Sequence, residues 1–378
     1  MRIGINGACL WNTAKTGVEW YAVLLLENLK DLPESQNHQF FIYYPEKLGE
    51  GDVAWQKKFP SNWHFVGVKW WFKYFWTQLA LPRQLKKDKI DLLFVPAHVI
   101  PFLYKGKAVM TVHDLAFKYF TSAYSAKELK YQDWAVKSAI KKGADFLVPS
   151  KTTQDDLLNF YGVAQERVHL VYHGFDYHNF KKDVSGWADL RAKHQLKEKY
   201  FVTVGRVENK KNNLNMIKAF ELFKKESGDQ DYQLVFLMGK PGFGYEQIRE
   251  YAEQSEFKND IKFLGYLSRA ELKTALSGAR VFLFPSLYEG FGFPILEAMA
   301  VELPVITSNY GAMAEIAGDG AVLVDPLNIN DLASAMKNLA FDESLRQALI
   351  AKANLILPKF TWENAAELTM KAFLKIND

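Results

Sequence analysis

Cysteine and long apolar runs are scarce in this sequence. Cys9 is the only cysteine, which excludes an internal disulfide and a metal site made from several cysteines. No apolar run reaches the roughly 18 residues that a helix needs to span a bilayer. The amino terminus also lacks the charged segment and long apolar core of a signal peptide. These absences make a cytoplasmic location the default expectation.

A strong bias in charge or composition is absent as well. The 378 residues carry a formal net charge of +4, with 24% charged and 49% hydrophobic residues. This composition is typical of a soluble globular protein and excludes a disordered chain. So small a basic excess does not by itself indicate nucleic-acid binding. At roughly 100 to 200 residues per domain, the length predicts two domains.

Short apolar runs alternate with helical segments through both halves of the chain. This alternation predicts an α/β fold, in which parallel sheets carry helices on both faces. Each strand-to-helix junction then lies at the carboxyl edge of a sheet, where open α/β sheets bind ligands. The predicted strands are residues 2–6, 40–44, 64–68, 90–96, 108–112, 144–148 and 168–172 in the first half, and 201–204, 233–238, 261–264, 281–284, 305–307 and 322–324 in the second.

The stretch from residue 280 to 309 carries the strongest functional signal. A loop with Gly290 and Gly292 follows an apolar strand and precedes a predicted helix whose first position suits Pro294. The positive N-terminal end of such a helix, together with the amides of Phe291 to Phe293, is suited to an anion such as a phosphate.

Two carboxylates bracket this loop. Glu289 precedes the glycines, and Glu297 is expected about one turn inside the helix. Carboxylates accept hydrogen bonds, so the two residues suit the hydroxyls of a sugar at separate points of one ligand. Taken alone, Glu297 could merely favour a helix N-terminus and Glu289 could be solvated. The glycines, the proline and the flanking strands favour the binding interpretation.

Basic residues follow the first predicted strand of the second half. Arg206, Lys210 and Lys211 lie on a strand-to-helix loop, where an arginine fork and a lysine charge can hold a diphosphate. The alternative is a solvated basic loop, since charged loops are usually only that.

Two further candidates lie in the first half. His113 follows the strand at residues 108–112, and its position at the carboxyl end of a strand favours a functional role over a structural one. Gly17 ends the loop after the first strand and precedes a helix, an arrangement that suits an anion. A turn that simply needs glycine explains Gly17 equally well.

A basic aromatic segment covers residues 69–89, KWWFKYFWTQLALPRQLKKDK. It contains three tryptophans and six Lys or Arg residues against one Asp. Such a segment can lie in a membrane interface, stack on an acceptor glycan, or simply pack, since long basic side chains lie along apolar surfaces. The sequence leaves these three alternatives open.

The residues from Pro285 to Pro304 resemble the signature of retaining GT-B glycosyltransferases of the large group 1 family, which use sugar nucleotides. The resemblance is continuous from Arg206 to Pro326 and is weaker in the first half, where it rests on Gly17 and His113. Members usually have a glycine where this chain has Glu302, so the turn after the helix departs from the family pattern.

The resemblance implies the GT-B fold, in which two Rossmann-like domains with parallel sheets face an interdomain cleft. Residues 1–176 would form the N-terminal acceptor domain and residues 177–357 the C-terminal donor domain. Residues 358–378 would form a helix that packs back on the first domain. The segment from His173 to Asp176 is then the crossing between the domains.

The resemblance also implies roles for the candidate residues. Arg206 and Lys211 hold the donor diphosphate, Glu289 holds hydroxyls of the donor sugar, Glu297 holds the ribose, and His113 orients the sugar. The catalytic set is therefore His113, Glu289, Arg206 and Lys211. The donor site is expected to include Gly17, Gly290, Phe291, Gly292 and Phe293 as well.

The predicted enzyme is a retaining hexosyltransferase that requires no metal and no cofactor. The segment beginning HDLAFKYF is similar to that of bacterial mannosyltransferases that build envelope polysaccharides, so GDP-mannose is the first donor and UDP-hexoses follow. The acceptor is a glycan or a lipid-linked glycan, and nucleic acid is not an expected partner. A sugar-nucleotide hydrolase or epimerase and a non-catalytic glycan- or membrane-binding protein are the alternatives. Peripheral contact with the inner face of the membrane through residues 69–89 is a further expectation.

Overall fold

A computed structural model gives the structure of the protein and describes residues 1–11, 17–46, 53–72, 75–237, 239 and 241–377. The chain forms two compact units. The first comprises Met1–Gly174 together with Phe360–Asp378, and the second comprises Phe175–Lys359. The last segment of the chain therefore belongs to the first unit.

The first unit is built on a seven-stranded sheet in which all strand pairs are parallel. Its strands are β1 (Arg2–Asn6), β2 (Gln39–Pro45), β3 (Trp63–Val68), β4 (Leu92–Val95), β5 (Lys107–Thr111), β6 (Asp145–Val148) and β7 (Val168–Leu170). The strand order is β3-β2-β1-β4-β5-β6-β7. All four residues of β4 are buried, which explains its unbroken apolar sequence, because helices cover both faces of the sheet.

Helices connect these strands and bury one side against the sheet. They are α1 (Gly17–Leu29), α2 (Val53–Gln56), α3 (Leu81–Lys87), α4 (Ala116–Tyr119), α5 (Ala126–Lys141) and α6 (Lys151–Tyr161). Helix α5 begins where it does because Ser125 and Glu128 form a capping box: each side chain accepts a hydrogen bond from the other residue's backbone N–H.

The second unit repeats the design with a six-stranded parallel sheet. Its strands are β8 (Lys199–Val204), β9 (Tyr232–Leu237), β10 (Ile261–Phe263), β11 (Val281–Phe284), β12 (Val305–Ser308) and β13 (Ala321–Val324). The strand order is β10-β9-β8-β11-β12-β13. Its helices are α7 (Trp187–His194), α8 (Asn213–Ser227), α9 (Tyr245–Gln254), α10 (Arg269–Ser277), α11 (Phe293–Ala300), α12 (Gly311–Ala317), α13 (Ile329–Phe341) and α14 (Glu343–Ile356).

The last helix, α15 (Trp362–Asn377), packs against α1 in the first unit. Its residues Trp362, Met370 and Phe373 share a buried core with Tyr21. The chain also approaches this helix at Gly174, where an added Cβ would lie 2.4 Å from the backbone nitrogen of Trp362. Only glycine permits so close an approach of two backbones.

Both sheets have a switch point, a place where neighbouring strands send their chains to opposite sides. In the first sheet it lies between β1 and β4, and in the second between β8 and β11. A crevice opens at the carboxyl ends of such strands, and this is where open α/β sheets bind ligands. The strand order therefore marks one edge of each unit as its candidate site.

The turn after α11 keeps its usual geometry without glycine. Glu302 has φ 58°, in the left-handed region. The N–H of Leu303 donates to the Ala298 carbonyl at 2.9 Å, and the N–H of Glu302 donates to the Met299 carbonyl at 3.0 Å. These two bonds form the Schellman motif that ends many helices. The glutamate thus occupies a conformation that favours glycine.

The predicted α/β class with two parallel sheets is confirmed. Several local expectations need correction. The helices α2, α3, α4, α7 and α12 were not predicted, and α11 begins at Phe293, so Pro294 is its second residue and not its first. The predicted strand 233–238 ends at Met238, which lies outside the described residues. None of the helices in the described ranges combines the length and apolar character needed to cross a bilayer.

Candidate functional site

Two loops meet at the switch point of the second sheet. One follows β8 and carries Lys210 and Lys211; the other follows β11 and carries Glu289. The N–H of Leu287 donates to the Lys210 carbonyl at 2.8 Å, which joins the loops directly. Lys211 Nζ lies 2.6 Å from Glu289 Oε1, and Lys210 Nζ lies 3.7 Å from Glu289 Oε2. The structure thus brings together two residues that the resemblance assigned to one donor site.

The surroundings of Lys211 hold its ammonium group in place. Its Nζ lies 4.6 Å from the ring centroid of Phe284, the last residue of β11, within cation–π distance. Gly205, at the end of β8, has φ 128°. A Cβ added there would lie 3.5 Å from Lys211 Cε. The lysine stem therefore runs directly over the glycine backbone.

Glu289 is a half-buried carboxylate with two cations beside it. Burial by itself raises the pKa of a carboxyl, but the charges of Lys211 and then Lys210 outweigh it, and the pKa of Glu289 is lowered. The side chains of Lys211 and Glu289 are each only 15% exposed. Glu289 is therefore held as a carboxylate, in a place where charge interactions are stronger than in water.

Arg206 lies on the same loop as Lys211, but its exposure and its contacts differ from those of Lys211. Its side chain is exposed and forms no ion pair with any residue that the structure describes. The predicted partnership of Arg206 and Lys211 at a diphosphate stays a prediction. The loop nevertheless places both cations beyond the carboxyl end of β8, so an anion at this edge lies within reach of basic side chains.

Helix α11 begins beside this pair. Gly292 precedes its first turn, and Phe291 and Phe293 flank that glycine with their rings 5.1 Å apart. Burial raises the pKa of Glu297, in the second turn, to about 7, while Arg269 opposes the shift. The two glutamates therefore differ: Glu289 is held ionised, and Glu297 is divided between its acid and ionised forms near neutral pH.

His113 lies at the carboxyl edge of the first sheet. Its Nε2 lies 3.0 Å from the Pro96 carbonyl and its Nδ1 3.3 Å from His173 Nε2. Because a carbonyl only accepts, Nε2 of the neutral ring donates, and Nδ1 then accepts from His173. Burial lowers the pKa of both rings, that of His173 well below its usual value.

Both ring nitrogens of His113 are therefore engaged inside the first unit. Tyr21 completes the cluster: its ring centroid lies 4.9 Å from that of His113 and 4.4 Å from that of His173, and its hydroxyl is 3.0 Å from Thr111 Oγ1. A contact from His113 to a donor sugar, as predicted, would have to replace one of its present hydrogen bonds.

Gly17 is the first residue of α1 and is exposed. An added Cβ would meet nothing within 4 Å, so no close contact within the protein requires glycine there. Residues 12–16 of the preceding loop lie outside the described residues. The phosphate contact assigned to Gly17 stays a prediction.

The prediction of metal independence relied in part on the absence of an Asp-x-Asp triplet, and that interpretation was wrong, because Asp229 to Asp231 form one. These residues precede β9 at the amino edge of the second sheet, opposite the edge that carries Lys211 and Glu289. Asp229 pairs there with Lys199 at 3.2 Å. Within the described ranges, no group of three or more His, Cys, Asp or Glu residues is arranged to hold a metal ion. Metal independence remains a prediction.

The sequence analysis missed several polar residues at the carboxyl edge of the first sheet. His98 follows β4 with φ 75° and an exposed side chain. Glu19 is buried in the first turn of α1, and its charge acts on both Cys9 and His113. A glutamate inside the apolar periodicity of α1 was the one signal that could have identified Glu19. Nothing in the sequence indicates the backbone conformation of His98.

The fold and the site define the GT-B class of glycosyltransferases. Both sheets are parallel and have a doubly wound strand order. The second sheet places a lysine–glutamate pair at its switch point, against a glycine-bearing helix start. Comparison with known proteins agrees. Residues 188–355 match the family described as "Glycosyl transferases group 1", and residues 15–179 match "Glycosyltransferase Family 4". The chain belongs to the group 1 GT-B glycosyltransferases.

Two curated relatives carry more specific names. The chain is 28% identical over 374 residues to the O-antigen chain mannosyltransferase RfbU of Salmonella typhimurium, covering 97% of this chain and 96% of RfbU. It is 25% identical over 268 residues to the O-antigen chain mannosyltransferase B of Escherichia coli, covering 71% of this chain and 70% of the relative.

Solved structures share the fold. The Anabaena protein Alr3699/HepE, crystallised with UDP and glucose, superimposes with a TM-score of 0.74 at 17% identity, over 99% of this chain and 100% of HepE. WaaG, a glycosyltransferase of lipopolysaccharide biosynthesis, gives a TM-score of 0.68 at 16% identity, over 99% of both chains. At these identities the likeness is one of fold.

Proposed function

We propose that the protein transfers a hexosyl group, with mannosyl from GDP-mannose as first choice, to a glycan or lipid-linked acceptor in envelope polysaccharide synthesis. Transfer retains the anomeric configuration and needs no metal. The observation that carries this proposal is the ion pair of Lys211 and Glu289 at the switch point of the second sheet, 2.6 Å apart beside the start of α11. The cation suits a diphosphate and the carboxylate suits sugar hydroxyls.

Binding of a nucleotide sugar would break this ion pair and give each of the two side chains a new partner. Without ligand, each charge neutralises the other in a half-buried site. With donor bound, the diphosphate takes over Lys211, and hydroxyls of the sugar take over Glu289. Neither charge is then left unpaired, which matters because an unpaired buried charge is costly.

The same cations assist the chemistry. Breaking the bond between the anomeric carbon and the diphosphate adds negative charge to the leaving group. A cation about 4 Å away stabilises a unit charge by roughly 4 kcal/mol at an effective dielectric of about 20, before desolvation is subtracted. Lys211 and Arg206, with the amides at the start of α11, supply this stabilisation in place of a metal.

The acceptor hydroxyl attacks from the face that the diphosphate leaves. Its oxygen bonds to the anomeric carbon as the carbon–diphosphate bond breaks, and its proton passes to an oxygen of the departing diphosphate. The configuration is therefore retained in one step. His113 orients the sugar in this scheme. No side chain is required as a covalent nucleophile.

Glu297 holds the ribose. An ionised carboxylate can accept from both ribose hydroxyls, whereas a protonated one gives up part of that capacity. Because burial raises the pKa of Glu297 to about 7, donor affinity should increase as the pH rises through that value.

The names of the relatives support a mannosyl donor, since two of them are O-antigen chain mannosyltransferases. One observation favours a second candidate, a UDP-hexose: HepE, whose fold matches along nearly the whole chain, was crystallised with UDP and glucose. A sugar-nucleotide hydrolase or epimerase remains the alternative from another reaction class. We place the reaction in the cytoplasm.

A thermal-shift panel of nucleotide sugars, followed by product analysis, tests the proposal. A donor at about 100 times its dissociation constant adds about 2.7 kcal/mol to stability. GDP-mannose should give the largest shift, and product should form only when an acceptor glycan is present. A larger shift with a UDP-hexose would move the donor assignment, and donor turnover without acceptor would indicate the hydrolase or epimerase. Stabilisation without any turnover would indicate a binding protein.

A further inference from the structure

A surface of four aromatic side chains and one leucine, called the aromatic surface below, lies on the first unit. Trp71 is 89% exposed, Phe72 65% and Phe75 68%. Phe102 and Leu103 are exposed as well, and their loop joins the same segment through a hydrogen bond of 2.6 Å from the Phe102 N–H to Gln78 Oε1. Side chains of this size are rarely left in water as a group, and such groups mark interaction sites.

The backbone holds part of this surface outward. Phe75 has φ 68°, a conformation that bulky residues seldom adopt. The next residue, Trp76, is buried, and its indole N–H donates to the Val68 carbonyl at 3.3 Å. It opens a π-helical turn, Trp76–Ala80, a rare element that often occurs at functional sites. One aromatic ring thus anchors the segment while its neighbour faces solvent.

A basic cleft adjoins the aromatic surface between the end of β3 and helix α3. Its volume is about 420 Å³, and Lys69, Arg83 and Lys87 are among its lining residues, with Trp70 at its wall. These three cations are exposed and form no ion pair with the residues that the structure describes. The cleft therefore has the charge and the guanidinium fork that suit a phosphate group.

Further cations lie beside Phe102 of the aromatic surface. Lys142 Nζ donates to the carbonyls of Phe102 and Tyr104, and it lies 5.3 Å from the ring centroid of Phe102. Lys105 is exposed nearby. Exposed apolar rings with basic residues beside them are typical of segments that lie in the interface of an anionic membrane.

We propose that this face of the first unit docks on a bilayer surface that carries anionic lipid. The aromatic surface enters the boundary between headgroups and acyl chains, and a lipid phosphate occupies the cleft of Lys69, Arg83 and Lys87. The positive charge of the cleft favours an anionic lipid as its ligand, because a neutral glycan would leave three cations without a counter-charge. This inference does not depend on the transferase assignment, since docking requires neither donor nor acceptor.

Sedimentation of the full chain with vesicles tests the proposal. Phosphatidylcholine vesicles with phosphatidylglycerol should bind the protein, and pure phosphatidylcholine vesicles should not. The variant K69A/R83A/K87A should partition roughly 100-fold more weakly, because each basic residue near an anionic surface contributes about fivefold. The variant W71S/F72S/F75S should bind weakly even at low salt. For the wild type, binding should weaken as the salt concentration rises.

Matched variants separate docking from general effects. K127A/K130A/K371A removes the same charge from exposed lysines elsewhere in the first unit, and Y266S/L355S removes exposed apolar side chains from the second. Both should bind vesicles as the wild type does, and all variants should transfer sugar to a soluble acceptor normally. Equal binding to neutral vesicles or equal losses in the matched variants would overturn the proposal, and so would unchanged vesicle binding by W71S/F72S/F75S.

Discussion

At the switch point of the second sheet, Lys211 and Glu289 meet as a charged pair 2.6 Å apart. At the carboxyl edge of the first sheet, His113 and His173 meet 3.3 Å apart, and burial lowers the pKa of both rings. The two sheets thus share the same kind of strand order but differ in the charge of the side chains at their carboxyl edges. The edge of the second sheet carries a pair of opposite charges, and at the edge of the first sheet the two histidines are neutral.

This difference suggests that the two units have different roles in binding the substrate. A paired cation and carboxylate can exchange partners with a ligand that has an anionic and a hydroxylic part, so the second unit suits the nucleotide sugar. A neutral, hydrogen-bonded histidine pair offers donors and acceptors without a charge that would attract the diphosphate. The following predictions test that contrast, from the largest expected effect to the smallest.

Replacing Lys211 should abolish most of the activity. The variant K211A loses the cation that faces the departing diphosphate, so kcat should fall by about 10² to 10³, the scale of removing one preorganised transition-state contact. The matched variant K210A removes a lysine that is 3.7 Å from the same carboxylate, and it should lose less than about tenfold. Transfer rates, with melting curves to establish folding, make the comparison. Near-normal turnover by K211A would refute its role.

Acid should destabilise the first unit before the second. A histidine that is neutral when folded but titrates normally when unfolded stabilises the fold above about pH 6.5 and loses that contribution as the pH falls. His173 fits this case because burial lowers its pKa. While the folded-state ring stays neutral, each pH unit below about 6.5 removes about 1.4 kcal/mol of the free energy of unfolding.

Hydrogen exchange measured across that pH range checks this difference, because it follows the two units separately. Protection in β5 and β7 should fall with acid, and the variant H173Q should flatten the dependence. An equal acid response in the wild type and H173Q would show that another group controls it.

The second unit should show the reverse pH dependence at Glu297. Burial raises the pKa of this carboxyl to about 7, so its contribution to stability is present at low pH and is lost as the pH rises through that value. The variant E297Q should therefore gain about 1–2 kcal/mol near pH 8, less than the full shift implies because solvent reaches the half-buried group. It should gain little near pH 5.

Denaturant titrations at the two pH values measure this gain. E246Q, on the exposed surface of α9, is the matched control and should change neither value. The same E297Q variant should bind donor more weakly, since the ribose loses a carboxylate. A stability gain that is equal at both pH values would contradict the titration of Glu297.

The smallest expected effect is at the turn after α11. Glu302 has φ 58°, and its carboxylate lies 3.7 Å from Lys182 Nζ in an exposed ion pair. The variant E302G should stabilise the second unit by about 1 kcal/mol, because relief of a left-handed residue outweighs the loss of an exposed ion pair. E302A loses the ion pair and keeps the strain, so it should be neutral or slightly destabilising. Melting temperatures decide between these outcomes.

The sequence predicted the fold class because buried parallel strands leave unbroken apolar runs such as those of β4 and β11. It did not indicate α12, whose seven residues have no side-chain cap at the amino end. It also could not show the strand order, and that order is what makes the loops after β8 and β11 neighbours. The resemblance implied that Lys211 and Glu289 serve one donor site, but the direct ion pair between them could not be foreseen.

His173 shows the same limit in the first unit. In sequence it was part of the crossing segment from His173 to Asp176, with no reason to connect it to His113. The contact arises because β5 and β7 flank β6 in one sheet, which brings the chain after each strand to the same edge. The sequence could not predict the raised pKa of Glu297 either, because burial of its carboxyl depends on tertiary packing and not on local spacing.

The central claim is that the donor enters between Lys211 and Glu289, and calorimetry of nucleoside diphosphate binding tests it most directly. The nucleoside diphosphate of the preferred donor should bind K211A about 100-fold more weakly than the wild type. It should bind E289Q at least as tightly as the wild type, because the variant frees Lys211 from its competing partner, while the intact sugar nucleotide should bind E289Q more weakly. Unchanged diphosphate binding by K211A, or equal loss of both ligands in E289Q, would contradict the account.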